Sequence, residues 1–409
     1  MKDVFSHSFK REEIKRIFVV DPGCFKESGH NIDLVSRFGK ELKKNHEIFV
    51  CAPKGKGKFQ KLGFDFLTIS NLYPVLYIDE YSNKYLNAIY ERFVQLSRTI
   101  FGLPTHLFYK FIAKSQLQKI IKKNNITHND LIFFPSSDYY FANAAAELCK
   151  KDKINLSLRF IGVLENAFFR RKRDLRSKFF SVLKKCNSQK LALSAETPRY
   201  RDYLSSITSK LVEYSGYPIK LDYKNFNVSR KKIFTVNNPL ILCLPGKSRP
   251  DKGSLDVPML ANACFEKFGM KVIFKLQNFP KGSRHNKKVT EKFTGHFPNI
   301  EFMKPELPRD EFEKTIWGSD VILMPYAPDV YYFRGSAIFF ESIERGKLVI
   351  GRGGSAFSDN MNTLNIMDKY YTPSEFTSLI EDLLNMSLDQ LEALAHSRVN
   401  KYIEFKESV

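Results

Sequence analysis

The sequence predicts an α/β fold made of two Rossmann-like domains. Its 409 residues exceed the size at which one hydrophobic core usually stops growing, so two domains of roughly 200 residues are expected. Short apolar segments alternate with segments of helical spacing, a pattern typical of parallel sheets covered by helices. The alternation breaks over residues 218–238 and then restarts. We therefore expect domains at residues 1–217 and 239–409, joined by a connection at 218–238, with a last helix that could pack back on the first domain.

The first domain opens with the apolar segment KRIFVVDPG at residues 15–23, which predicts a strand that Pro22 and Gly23 end. Residues 29–53 then predict a helix and a second strand. The loop between the first strand and this helix lacks the GxGxxG pattern of dinucleotide-binding proteins, which argues against NAD or FAD in this domain. The alternation continues with a strand at 130–137, a helix at 139–151, a strand at 154–162, a basic helix at 164–186 and a strand and helix within 189–206.

The second domain begins at residue 239 with PLILCLP, an apolar strand that leads through a polar loop into an amphipathic helix ending near residue 268. Asp320 to Tyr326 predicts a buried strand, and Ser336 to Arg345 has the composition of a helix before the apolar LVI starts another strand. Other strands are predicted at 271–279 and 299–307, and helices at DEFEKTIWGS and 386–405.

Composition narrows the class of protein. Hydrophobic residues make up 43% of the chain and charged residues 27%, which is ordinary for a globular protein. No apolar run is long enough to cross a membrane, and the amino-terminal segment lacks the features of a signal peptide, so we expect a cytoplasmic protein. Six scattered cysteines without a CxxC pair are expected to be buried, reduced thiols.

The formal charge of +21 favours anionic partners. Phosphorylated substrates, acidic lipid headgroups and nucleic acid all fit such a charge, and so does a generally solvated basic surface. Residues 84–123 and the helix at 164–186 are rich in basic and aromatic side chains. This composition is typical of a surface that lies on an anionic membrane and equally of core-facing helices with solvated lysines.

Two loops of the second domain carry the residues of an anion site. The loop GKSRPDKG presents Arg249 and Lys252 next to Gly246, which lets the backbone approach a ligand. The later segment FRGS places the guanidinium of Arg334 at the start of a helix, where backbone amides attract anions. Two cations and a helix start match the oxygens of a diphosphate, because arginine forms forked hydrogen bonds and lysine supplies a compact charge. Gly335 supplies further backbone amides, Ser336 is the expected helix cap, and Glu341 lies about one and a half turns into the helix.

The order of these motifs resembles the donor-binding domain of GT-B glycosyltransferases, and is most similar to glycosyltransferase family 4. The resemblance implies two Rossmann-like domains with the active-site cleft between them, retention of anomeric configuration and no metal ion or other cofactor. It implies a nucleotide-sugar substrate such as a UDP- or GDP-sugar, whose diphosphate Arg249 and Lys252 bind and whose ribose Glu341 holds. The donor site implied in this way comprises Gly246, Arg249, Lys252, Tyr326, Arg334, Gly335, Ser336 and Glu341.

The first domain is similar to the acceptor side of that family at the GHN segment, so Gly29, His30 and Asn31 are the acceptor-side candidates. His30, Asp138 and Glu165 are possible general bases, with His30 taken as a catalytic candidate beside Arg249 and Lys252. The expected acceptor is a glycan or a lipid-linked sugar of a surface polysaccharide or glycolipid, at the inner face of an anionic membrane, and no nucleic acid is expected.

Two other functions stay open. The family usually has a second glutamate eight positions before Glu341, where this chain has Phe333, and this favours a GT-B protein that has lost catalysis and acts as a binding partner or scaffold. A sugar-nucleotide epimerase would keep the diphosphate site but would need acidic and histidine groups for proton transfer, and the sequence shows no convincing cluster of them.

Overall fold

The computed structural model describes residues 13–24, 30–70, 104–165, 173–218, 234–246, 248–278, 297–305 and 307–408. The chain divides into two compact units, Met1–Pro218 and Ile219–Val409. Each unit is built on one parallel sheet, and helices connect most of the successive strands in the described residues. Most of the proposed connection at 218–238 lies outside the described residues, as do residues 84–103 and 166–172 of the two basic segments.

The first unit contains a seven-stranded sheet in the order β3-β2-β1-β4-β5-β6-β7. Its strands pair in parallel throughout. The strands are β1 Arg16–Val20, β2 Glu47–Ala52, β3 Asp65–Thr68, β4 Asp130–Phe134, β5 Asn155–Phe160, β6 Leu191–Ala195 and β7 Glu213–Tyr214. The helices are α1 His30–Leu42, α2 Lys56–Lys61, α3 Pro104–Lys123, α4 Tyr140–Cys149, α5 Arg173–Lys184 and α6 Pro198–Thr208.

The second unit contains a six-stranded parallel sheet in the order β10-β9-β8-β11-β12-β13. The strands are β8 Leu240–Leu244, β9 Val272–Gln277, β10 Ile300–Met303, β11 Val321–Met324, β12 Leu348–Arg352 and β13 Asp368–Tyr370. The helices are α7 Val257–Phe268, α8 Arg309–Trp317, α9 Ala337–Glu344, α10 Ala356–Thr363, α11 Pro373–Asn385 and α12 Leu388–Ser408.

Both sheets reverse their strand order at one place, the topological switch point. In the first sheet the switch point lies between β1 and β4, and in the second between β8 and β11. Helices leave the two flanking strands toward opposite faces of a doubly wound sheet, so the loops at their carboxyl ends separate and leave a crevice in which ligands bind. The loops after β1, β4, β8 and β11 are therefore the places to look for function.

Hydrophobic burial accounts for the two cores. The central strands β4, β6 and β11 are buried along their whole length, as expected for sheets covered on both faces. All six cysteines are buried free thiols, as predicted. The last helix, α12, packs in the second unit, where the Tyr402 ring contacts those of Phe339 and Phe340 on α9. Across the described ranges, no helix combines the length and the apolar character that crossing a bilayer requires.

Candidate functional site

Two loops meet at the switch point of the second sheet. The basic loop, residues 245–254, follows β8, and the helix-start loop, residues 325–336, follows β11 and leads into α9. The Ala327 amide donates a hydrogen bond to the Asp251 carbonyl, at 3.0 Å, which joins the two loops directly. Gly253 makes the contact closer still, because a Cβ atom at this position would lie 1.7 Å from the Pro325 carbonyl oxygen. Only glycine fits there, and its positive φ of 72° also favours glycine.

The basic loop is held in a single turn. Pro250 to Lys252 forms a short 3-10 helix, and the Ser254 hydroxyl accepts from the Arg249 amide at 2.9 Å. The Ser248 hydroxyl donates to the carbonyl of Gln277 at the end of β9, which ties the loop to a third strand end. Lys247 lies outside the described residues. The turn therefore places Arg249 directly before the 3-10 helix and Lys252 at the last residue of that helix.

Lys252 points into the site. Its Nζ atom lies 5.8 Å from the centre of the Tyr326 ring, and a Cβ atom at Gly246 would come within 2.7 Å of Nζ. The pKa of this ammonium is lowered to about 8, mainly by burial and in addition by the neighbouring Arg249 and Arg334 cations, while the carboxylates of Asp251 and Glu341 partly offset these effects. A partly desolvated lysine among other cations is stabilised by an added anion, because that anion restores the interactions lost with water.

Arg249 is the more exposed cation of the basic loop. Its guanidinium forms an ion pair with Asp251 at 2.8 Å, and about half of the side chain remains exposed. Such an exposed pair contributes little to stability. A ligand phosphate can therefore exchange with the Asp251 carboxylate at small cost, while Asp251 keeps the arginine oriented.

Aromatic rings form the floor of the helix-start loop. Tyr326 and Tyr331 have ring centres 4.6 Å apart, and both pack against Phe357 of α10. The Arg334 guanidinium lies 4.9 Å from the centre of the Tyr331 ring, within the range of a cation–π contact. This packing fixes the direction of the Arg334 guanidinium. The sequence predicted Arg334 in the site but did not indicate that the Tyr331 ring lies against it.

The start of α9 is open, and the expected Ser336 cap was wrong. Ser336 occupies the capping position, but its side chain makes no capping hydrogen bond. The Ser336 hydroxyl lies near the buried Tyr326 phenol, whose pKa burial raises, but no hydrogen bond joins the two groups. The first amides of a helix have no partner within the helix, so this start presents donors that Ser336 does not occupy. Glu341, the fifth residue of α9, is buried and interacts electrostatically with Lys252.

The predicted donor residues are thus brought together. The basic loop contributes Gly246, Arg249 and Lys252, and the helix-start loop and α9 contribute Tyr326, Arg334, Gly335, Ser336 and Glu341.

No protein-family model matches the chain, and no curated protein matches it in sequence. Solved structures nevertheless share its fold. HepE of Anabaena, crystallised with UDP and glucose, superposes with a TM-score of 0.59 at 13% identity, covering 96% of this chain and 99% of HepE. The Escherichia coli trehalose-6-phosphate protein bound with UDP-2-fluoro glucose gives 0.66 at 13% identity, covering 95% and 96% of the two chains. A glycosyltransferase from Rickettsia africae gives 0.61 at 14% identity, covering 96% and 94%.

The chain has the GT-B fold. The superpositions extend over both units, and the two parallel sheets agree with the predicted pair of Rossmann-like domains. At 13–14% identity the likeness is one of fold, and the chemistry has to be argued from the residues. The basic loop and the helix-start loop are the part of this GT-B protein whose chemistry is best defined.

The acceptor-side candidates are only partly described. Gly29 lies outside the described residues, and His30 begins α1 with a side chain that also lies outside them. The role of His30 as a catalytic group stays a prediction. The Asn31 side-chain amide donates to both carboxylate oxygens of Asp21, at 3.3 Å each. Asn31 is thereby fixed beside the end of β1.

Arg159, near the end of β5, serves the structure of the first unit. Its side chain is fully buried, forms an ion pair with Glu196 at 3.0 Å, and donates to the carbonyls of Pro135 and Ser215. These partners follow β4, β6 and β7, so one guanidinium joins the loops at the carboxyl edge of the sheet. All of these contacts are internal, and the geometry indicates bracing rather than ligand binding.

Two further candidates for a general base differ in their surroundings. Glu165 is buried and forms an ion pair with Arg176 of the basic segment. Asp138 is also buried, but no cation within the described residues pairs with it. Sequence reasoning missed Asp21 and Tyr331. A carboxylate directly after the strand IFVV was the available signal for Asp21, whereas Tyr331 is recognisable only from its packing.

Proposed function

We propose that this GT-B protein is a glycosyltransferase that transfers a hexosyl group from a nucleotide-diphosphate donor to an acceptor. The observation that carries the proposal is the meeting of Arg249, Lys252 and Arg334 with an uncapped helix start at the switch point of the second sheet. The donor diphosphate lies among these groups, and the buried Glu341 holds the ribose hydroxyls. The solved structures with UDP and with UDP-2-fluoro glucose support a UDP-sugar as the first donor to test.

The chemistry of this site is the stabilisation of a leaving group. As the bond between the sugar and the diphosphate breaks, negative charge grows on the phosphate oxygens. Cations and amides that are already oriented stabilise that charge without reorganising, and this is usually the largest catalytic contribution in an enzyme. No protein nucleophile is needed, and we propose a metal-independent reaction in which the protein's own cations neutralise the diphosphate.

The stereochemistry of the transfer and the class of acceptor are inferred from the sequence. The motifs of residues 246–253 and 325–354 resemble family 4, which supports retention of configuration and an acceptor in surface polysaccharide or glycolipid synthesis. The net charge of +21 supports a lipid-linked acceptor at an anionic membrane. Liposomes with and without anionic lipid test this point: binding to anionic liposomes alone, lost at about 0.5 M salt, is expected, and equal binding to neutral liposomes would contradict it.

Calorimetry with UDP, GDP and dTDP tests the donor site. Removing one charged hydrogen-bonding partner of a phosphate costs about 1.5–3 kcal/mol, so Arg249→Ala and Lys252→Ala should each weaken nucleotide binding by about 10- to 100-fold. Lys267→Ala is the matched control, because this exposed lysine of the same unit pairs with Glu381 on the surface. Equal affinities for Lys252→Ala and Lys267→Ala, or no nucleotide binding by the unmodified chain, would contradict the proposal.

Turnover of a nucleotide-sugar distinguishes a glycosyltransferase from a protein that only binds the nucleotide. Release of UDP from UDP-glucose, depressed by Arg249→Ala and Glu341→Ala, is expected of a transferase. Phe333 in place of a glutamate favours the second candidate function, a nucleotide-binding partner without catalysis. Tight nucleotide binding with no turnover of UDP-, GDP- or dTDP-sugars would support that candidate.

A further inference from the structure

Two of the six cysteines lie close together at the amino edge of the first sheet. Cys149 is the last residue of α4, and Cys186 follows the end of α5. The Cys186 thiol donates a hydrogen bond to the Ala146 carbonyl of α4, with 3.4 Å between sulfur and oxygen. The Cys149 thiol donates at 3.3 Å to the carbonyl of Lys190, shortly after Cys186. Each thiol therefore contacts the backbone of the segment that carries the other.

The two thiols differ in acidity because of each other. The Cys149 thiol is the main influence that lowers the pKa of Cys186, and the Cys186 thiol is the main influence that raises the pKa of Cys149. All six cysteines lie within the described residues, and burial raises the pKa of the other four. Cys186 is thus the one cysteine of the chain at which the thiolate is favoured.

Lysine side chains support a negative charge on Cys186. The Lys210 ammonium donates to the Cys186 carbonyl at 2.7 Å, which places it beside this residue. Lys210 and Lys150 lower the pKa of the Cys186 thiol, whereas burial and the Asp152 carboxylate raise it. Since the thiolate and not the thiol is the nucleophile, Cys186 is the reactive member of the pair and Cys149 is the member that keeps its proton.

The depth of the two thiols limits which oxidants reach them. The exposed fractions of Cys149 and Cys186 are 0% and 3%. Lys185 and Asn187, on either side of Cys186, are exposed, so this sulfur lies directly beneath the surface. A local opening of the short segment between α5 and β6 admits a molecule as small as hydrogen peroxide, whereas bulky thiol reagents stay excluded.

We propose that Cys149 and Cys186 form a reversible disulfide when the chain meets a peroxide, and that this bond joins the ends of α4 and α5. The Cys186 thiolate attacks one peroxide oxygen, the O–O bond breaks, and a sulfenic acid and one water result. The Cys149 sulfur then attacks the sulfenic sulfur, the S–S bond forms, and a second water leaves. The two thiols together lose two electrons and two protons, and the peroxide takes up both. A small thiol such as glutathione reverses the step by thiol–disulfide exchange.

The disulfide would act as a redox-dependent restraint on the first unit. Disulfides in reducing compartments are typically transient and redox-sensing. Closing the chain between Cys149 and Cys186 restricts the unfolded state, so the melting temperature of the first unit should rise by roughly 4–16 °C on oxidation. The donor residues lie in the second unit, and UDP affinity should not change. The inference is therefore independent of the proposed glycosyl transfer.

The test treats the folded chain with hydrogen peroxide and maps its disulfides. After acid quenching, alkylation and digestion without reduction, mass spectrometry should find one linked pair of peptides, which contain Cys149 and Cys186. Dithiothreitol should remove this link and return the melting temperature of the first unit to its starting value. The matched control is Cys264→Ser, which removes a buried cysteine of the second unit and should leave the link intact.

Two variants test the order of the steps. Cys149→Ser should accumulate a sulfenic acid on Cys186, detected by its dimedone adduct, because the thiol that resolves it is gone. Cys186→Ser should show no such adduct on Cys149, whose pKa is raised. Lys210→Met should slow disulfide formation, since it removes a cation that favours the Cys186 thiolate, whereas Lys151→Met, an exposed lysine, should leave the rate unchanged.

Several results would overturn the inference. One is a link between other cysteines; another is a folded chain that forms no disulfide although the chain unfolded in guanidinium does. Equal dimedone labelling of Cys149→Ser and Cys186→Ser would remove the nucleophile assignment, and an unchanged melting temperature of the oxidised first unit would remove the restraint. The peptide map of the unmodified chain needs no variant, and equal melting temperatures of the reduced serine variants and the reduced unmodified chain exclude loss of folding as the cause.

Discussion

Gly253 joins the basic loop to the end of β11, and Gly253→Ala should displace that loop without removing a charge. Its φ of 72° costs an alanine about 1–2 kcal/mol. The new Cβ would lie 1.7 Å from the Pro325 carbonyl oxygen, a backbone atom that cannot rotate away, and such overpacking costs about 1–3 kcal/mol. The sum, about 2–5 kcal/mol, corresponds to a melting temperature of the second unit lower by roughly 4–20 °C. Lys252 is the adjacent residue, so UDP affinity should fall as well.

Gly63→Ala is the matched control. Its φ of 71° imposes the same backbone cost, but the new Cβ meets only the end of the flexible, exposed Lys43 side chain, whose Nζ donates to the Leu62 carbonyl and can move away. Thermal unfolding of both variants, each followed on the transition of its own unit, isolates the clash from the backbone strain. A Gly253→Ala variant no less stable than Gly63→Ala, with unchanged UDP affinity, would refute the contact between the basic loop and the strand end.

Three further predictions follow from buried charges and thiols. UDP affinity should decline between pH 7 and 9, because Lys252, with its pKa lowered to about 8, is charged below that value and neutral above it; calorimetry should show a flatter profile for Lys252→Arg, and equal slopes would contradict the role of this lysine. Arg159→Met should destabilise the first unit by about 3–5 kcal/mol, since it leaves the Glu196 carboxylate buried without its partner, and adding Glu196→Gln should restore part of the loss in denaturant unfolding; an unchanged midpoint would argue against the brace. All six thiols are buried, so a thiol reagent should react quickly only after unfolding, whereas fast reaction of the native chain would contradict the burial.

The central strands were predictable because burial on both faces leaves continuous apolar runs. Three of the four edge strands, β3, β7 and β13, were missed for the opposite reason, whereas the edge strand β10 was predicted. β3 is half-exposed, β7 has only two residues, and β13 reads DKY. One solvated face removes the apolar run by which a strand is recognised in a sequence. The fold was nevertheless predictable, because the order of the inner strands fixes the architecture and the edge strands only extend it.

The two loops of the candidate donor site were predictable to the extent that their residues lie close together in sequence. Their spacing in the sequence is enough to recognise the glycine and basic residues within one loop and the arginine at a helix start. The supports of these groups are long-range: Tyr331 under Arg334 and Pro325 against Gly253 are contacts that only the folded sheet creates. Ser336 occupies the capping position as expected, but whether its hydroxyl reaches the amides of the first turn depends on a side-chain direction that only the folded structure sets. Asp21 was overlooked because Asp138, whose charge acts on it, lies beyond three further strands in sequence, β2, β3 and β4.

A crystal structure of the chain with UDP would test the central claim most directly. We expect the diphosphate at the switch point of the second sheet, with phosphate oxygens within hydrogen-bonding distance of Arg249, Lys252 and the amides at the start of α9. The ribose hydroxyls should contact the Glu341 carboxylate. A nucleotide bound at any other place, or a diphosphate that contacts neither Arg249 nor Lys252, would contradict the assignment of these two loops as the donor site.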